Sequence, residues 1–305
     1  MDQTPPNIQL PELTPENRKF IKNFFLKFLL KTEAVSYFIM VPVIVFLLWL
    51  NIEFTAEQWR TFFIVMTIVF PVSLATTLIN NKIVVTPITS YFTALLAGAE
   101  VTREVYDGAF RRFMLLPYLH SIGAFFRWIV GLGMAIVPYM IILDLTSLQI
   151  SLMWITTFLA AFSGIVFYFL FSEIFTQQVY AMGVFPERPS RPVNLRMKLL
   201  NRLTWTVLFI SAVPFVILGT YTLTLAQGKG FDTIAFYGKV AVIAFIGFGG
   251  AIFISSILNR SITSKIAIII EFLEKVGQGR LMAFATKLLV EDEFAKINRS
   301  VYKMK

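Results

Sequence analysis

The chain has no cysteine and a single histidine, His120. Without thiols there is no disulfide, no thiolate metal site and no cysteine nucleophile. One imidazole per chain excludes a bis-His haem or a multi-His zinc centre. Charge is scarce too. Asp, Glu, Lys and Arg make up 15% of the 305 residues, against about 25% in a typical soluble domain. So little polar material would not cover a water-facing surface. No nucleophile–base pairing or paired catalytic carboxylate stands out. The run Gly247-Phe248-Gly249-Gly250 lies inside an apolar stretch, so it is not a phosphate loop. Residues 1–17 are polar and rich in proline, unlike a secretory signal, and read as a cytoplasmic tail.

What is abundant is apolar. Hydrophobic residues make up 57% of the chain, with 32 Phe, and mean hydropathy is +0.72. Six runs, near 34–52, 61–80, 123–143, 151–174, 204–225 and 235–258, approach the ~20 residues needed to cross the hydrocarbon core. The expected fold is all-α: a six-helix membrane domain over 34–258, preceded by a tail and amphipathic helix over 1–33. The segment 18–31, RKFIKNFFLKFLLK, places Phe20, Ile21, Phe24, Phe25 and Phe28 on one helical face and Lys19, Lys22 and Lys27 on or beside the other. It suits a helix lying in the membrane interface, or equally a cytoplasmic extension of the first span.

With the N-terminus inside, the segments 1–33, 81–122, 175–203 and 259–305 hold 23 of the 27 Lys and Arg. That bias predicts both termini on the cytoplasmic side of the cell (inner) membrane. The net charge of +9 follows topology rather than a nucleic-acid-binding face. The inner segment 86–119 has helical spacing, with Phe92, Leu95, Leu96 and Ala99 as its stripe. The second inner loop, FPERPSRPVNLRMKLLNRL, is rich in Pro and Arg.

Three polar residues in or near the spans are candidate sites: His120, Arg127 and Glu173. A carboxylate at membrane depth is a functional candidate by default. Glu173 alternatively snorkels to the interface or pairs with Arg127 or Arg202. His120 is a pH-sensitive group or lone metal ligand on one reading, and an interfacial anchor on the other. Pro71, Pro138 and Pro214 fall inside spans, as hinges or as tolerated membrane prolines.

After residue 258 the helical pattern continues. Ile262, Ile266, Ile269, Leu273 and Val276 form an a/d seam, spaced 4-3-4-3. Gly277 and Gly279 break it, and a connector including Leu281 follows. A second seam runs through Val290, Phe294, Ile297, Val301 and Met304, with Asp292 and Glu293 at its start, where carboxylates favour a helix N-terminus. Each seam is too short to stand alone. Paired with a second copy, the two would close a parallel four-helix bundle.

This stretch, 259–305, resembles a HAMP domain in its two seams, the Gly279-x-Leu281 element and the Asp292-Glu293 pair. It departs from the family at Lys265, where Pro is common, and at Ala295, where Gly is common. Six spans feeding a HAMP module, a Pro/Arg-rich second inner loop and the internal Pro214 are similar to the membrane regions of certain bacterial class III adenylate cyclases. The resemblance implies transmembrane signal transduction by a homodimer. The metal-binding aspartates of a cyclase are not in this sequence, so no catalysis and no cofactor are expected on this chain. Partners would be the bilayer, a second copy and an unidentified small apolar or lipid ligand, with no nucleic acid. A solute transporter or channel and a non-sensing dimerisation scaffold are the alternatives.

Overall fold

A computed structural model describes residues 11–186 and 233–278, with a few positions between 216 and 222. Among these residues the chain is helical, with no strand. Thr14 caps α1 (Pro15–Lys22) by accepting from the Asn17 N–H. Next come α2 (Phe24–Leu29), a five-residue π-helical turn (Leu30–Ala34) and α3 (Val35–Asn51). Reciprocal capping boxes, Thr55 with Gln58 and Thr146 with Gln149, start α4 (Ala56–Ala97) and α6 (Ser147–Ala181). Thr102 caps α5 (Arg103–Ile142), and α7 spans Thr233–Gly277.

Five of the described helices are long and apolar enough to cross a membrane: Phe24–Asn51, Ala56–Ala97, Arg103–Ile142, Ser147–Ala181 and Tyr237–Arg260. The expected span at 204–225 lies almost wholly outside the described residues, and Pro214 with it. The helices are longer than the apolar runs that nucleate them. At 1.5 Å per residue, 42 residues of α4 extend ~60 Å, about twice the hydrocarbon thickness. The inner segment 81–122, whose residues 86–119 have helical spacing, is helical as the continuation of α4 and α5. They are separated only by 98–102, where Gly98 ends α4 in the left-handed region at φ 65°. Neither Pro71 nor Pro138 interrupts its helix.

The bundle therefore has two unlike ends. At the short-turn end, 52–55 joins α3 to α4 and 143–146 joins α5 to α6. The Tyr139 hydroxyl donates to the Gln58 carbonyl at 2.7 Å, and Gln149 Nε2 donates to the Glu53 carbonyl at 3.0 Å. At the opposite end, the extensions of α4, α5 and α6 form a stalk with its own aromatic core. There α1 and α2 dock by their apolar face. Ile21, Phe24 and Phe28 are buried against Phe92, Phe113 and Phe175. Phe92 and Leu95, from the stripe read in the sequence, belong to this core. Phe175 stacks on Phe20 at 6.0 Å and meets Phe24 and Phe28 at 5.4 and 5.5 Å. The amphipathic segment thus spends its apolar face on the protein itself, leaving Lys19 and Lys22 exposed.

Replacing Phe175 by Ala removes the ring on which α1 and α2 close, at a cost of about 3–5 kcal/mol. Trypsin should then cut at Lys22 and Lys27 faster than in the unaltered protein. A variant that resists cleavage equally well would argue against this docking.

Candidate functional site

The π-turn carries the one acidic residue between Glu16 and Glu53, Glu33. A π-turn holds one residue more than an α-turn and often marks a functional position. Here Thr32 sends its hydroxyl back to the Phe28 carbonyl at 2.8 Å, and Glu33 turns into the bundle, 5% exposed. One carboxylate then gathers donors from three other helices. Oε1 accepts from Asn81 Nδ2 of α4. It also accepts from His120 Nε2 at 2.9 Å and Arg127 Nη2 at 2.8 Å, both of α5. Oε2 accepts from the Tyr168 hydroxyl of α6 at 2.7 Å.

His120 is fully buried. Its Nδ1 lies 2.6 Å from Ser172 Oγ, and its ring sits 4.8 Å from those of Phe28 and Tyr168. In the neutral tautomer that donates from Nε2 to Glu33, Nδ1 accepts from Ser172. Carboxylate and guanidinium then balance. His120 is therefore not an interfacial anchor exposed to headgroups. Both ring nitrogens are engaged within the protein, which also argues against a lone metal ligand.

Arg127 Nη1 lies 3.5 Å from Asn81 Oδ1, and its guanidinium stands 5.6 Å from the Tyr168 ring centre. Close approach needs the missing side chain of Gly123: a Cβ there would lie 3.1 Å from Asn80 Nδ2 and 3.4 Å from Arg127 Nη1. Asn80 Nδ2 is buried without a hydrogen-bond partner among the described residues.

Beside the cluster lies a cleft of about 40 Å³ between α3 and α4, floored by α5 and α6. Tyr37 and Val41 line it from α3, Phe70, Ser73 and Thr77 from α4, Arg127 and Trp128 from α5, and Tyr168 from α6. Tyr37 bridges the two walls. Its hydroxyl is 3.1 Å from Thr77 Oγ1, and its ring meets Phe70 edge-on at 5.5 Å.

Of the three polar residues singled out from the sequence, His120 and Arg127 converge on Glu33. Glu173 is buried elsewhere on α6, with Gln177 Nε2 3.4 Å from its carboxylate, and Arg202 lies outside the described residues. Glu33, Asn81, Tyr168 and Ser172 did not stand out, because Lys31 and Glu33 together look like the polar edge of a span. A clue was nonetheless present. His120 and Arg127 are seven residues apart, two turns along one helix, so a cation on that face calls for a carboxylate. Of the relay positions, Ile262, Ile266, Ile269, Leu273 and Val276 all lie on α7. Gly279, Leu281, Val290, Asp292, Glu293, Phe294, Ile297, Val301 and Met304 lie outside the described residues.

Glu33→Gln leaves the Arg127 cation without its counter-charge, which for a buried pair costs roughly 3–5 kcal/mol. We expect a clear fall in Tm in detergent. The double variant Glu33→Gln/Arg127→Gln should melt above the value expected from adding the two single losses. Strict additivity would mean that the two groups are not coupled.

No protein-family model matches the chain, and neither the curated proteins nor the solved structures include a significant match to it.

Proposed function

We propose that the chain is a membrane sensor-transducer whose membrane domain passes helix motion to a HAMP-type module. The observation that carries this reading is α7, which runs through Asn259 without a break from the apolar stretch Tyr237–Arg260 to Gly277. A rigid helix of 45 residues transmits rotation or translation along its axis. A flexible joint would absorb it. Past the apolar stretch, Ile266 and Ile270 are 40% and 50% exposed. Branched apolar side chains exposed at such spacing on a water-facing helix call for a partner helix. A second copy of α7 supplies one, and the seam pattern through Met304 extends the pairing to a four-helix bundle.

The distribution of Lys and Arg puts the stalk end and the end of α7 in the cytoplasm. Asn81 lies 25 residues along α4, roughly 37 Å from its start. The Glu33 cluster then sits at the inner boundary of the bilayer, where the spans become the stalk. A cue that favours one arrangement of these helices shifts the bundle between two packings a few kcal/mol apart.

Transport is the second reading, because interior ionisable groups mark ion paths in pumps and transporters. The cluster favours it less. It lies at one boundary, not at the midplane where transporter sites form, and its carboxylate is fully bonded within the chain.

The absence of cysteine makes the relay directly testable. Single cysteines placed from 259 to 277 in the full chain, in membranes, should form crosslinked dimers with peaks at Ile262, Ile266, Ile269, Leu273 and Val276. Ile269→Lys in the background of a peak cysteine should abolish that crosslink. A flat profile, or one unchanged by Ile269→Lys, would sink the dimeric relay.

A further inference from the structure

We propose that the cleft between α3 and α4 binds a single-chain, uncharged lipid, such as a long-chain alcohol or monoacyl ester, with its polar head toward Arg127. The proposal rests on the sensor reading, for which it names the class of cue. Size argues first. One water occupies ~10–15 Å³ on the same measure, and an engineered cavity of about 150 Å³ binds benzene. A cleft of about 40 Å³ takes the polar end and first few methylenes of a slender chain, the rest of which stays in the bilayer, but no ring system.

Charge argues next. Arg127 lines the cleft, yet its charge is already matched by Glu33 at 2.8 Å. An incoming carboxylate would give up its hydration, meet no net positive charge and be repelled by Glu33. An uncharged hydroxyl or ester carbonyl gives up far less. It finds donors in the cleft-facing edge of Arg127 and in the hydroxyls of Tyr37, Ser73 and Thr77.

The walls point the same way. α3 packs on α6, α4 packs on α5, and α5 and α6 pack on each other, so the cleft divides α3 from α4 over a joined floor. Tyr37 spans the gap to Thr77 and Phe70, and Phe70 is 39% exposed. A ligand hydroxyl that replaces the Tyr37–Thr77 hydrogen bond would part the walls without leaving a polar group unsatisfied. That links occupancy to the spacing of α3 and α4 above the stalk.

The test uses the full chain in phosphatidylcholine nanodiscs with a diazirine-bearing oleyl alcohol as the probe, mapped by mass spectrometry after irradiation. Labelling should be saturable and should fall on residues near Tyr37 and Ser73. Oleyl alcohol or monoolein should compete at least about tenfold better than oleate, equivalent to one decade of Kd. Ser73→Leu, which fills the cleft, should remove the label. Tyr37→Phe, which keeps the cleft's shape, should weaken it severalfold. Oleate competing as well as the alcohol would overturn the proposal, and so would label spread without saturation over all the helices. Both of these outcomes are read on the unaltered protein, so a variant that fails to fold does not decide the matter. Periodic α7 crosslinks without saturable label would sink this inference and leave the relay standing. Saturable label with flat crosslinks would do the reverse.

Discussion

A carboxylate removed from water must be surrounded by donors, because an unpaired buried charge costs several kcal/mol. Glu33 meets that condition with groups from α4, α5 and α6. Satisfying one side chain thereby sets the register of four helices. If α5 slid by one turn along its axis, His120 and Arg127 would move about 5.4 Å from the carboxylate. The aromatic stalk lies to one side of this point and the cleft to the other, so both are indexed to it.

The same helices meet by different means along their length. Between apolar segments there is little hydrophobic drive in lipid, and close approach needs small residues. A Cβ at Gly164 would lie 3.0 Å from Trp128 Cδ1, and one at Gly131 would lie 3.2 Å from Ser73 Oγ. In the stalk, the burial of rings such as Tyr91, Phe113 and Phe185 does the holding. The abundance of Phe, which composition alone explains as lipid contact, serves this second purpose as well.

The apolar runs made the helices legible, since length and hydropathy alone mark them. Their extent was less so. Phe92, Leu95, Leu96 and Ala99 look like a separate amphipathic loop helix, because composition changes near Lys82 although the backbone does not. The spacing of 18–31 marks it as amphipathic, but a sequence pattern cannot say whether its apolar face meets lipid or protein. His120 and Arg127 stood out as rare polar residues in apolar surroundings. Glu33 did not, because its burial depends on a backbone irregularity that no local propensity encodes. Ile262 to Val276 lie on the same helix as the last span, because no helix breaker stands between them.

The widened turn at Leu30–Ala34 has a mechanical consequence. Restoring ordinary helical geometry there would swing α2 by roughly 100° about the axis of α3. Phe24 and Phe28 would be peeled from their aromatic seat, and Glu33 would be carried off its donors. The docked phenyl rings and the ionic knot thus brace each other through a single extra residue. A disturbance at either is felt at the other before any long helix has to bend.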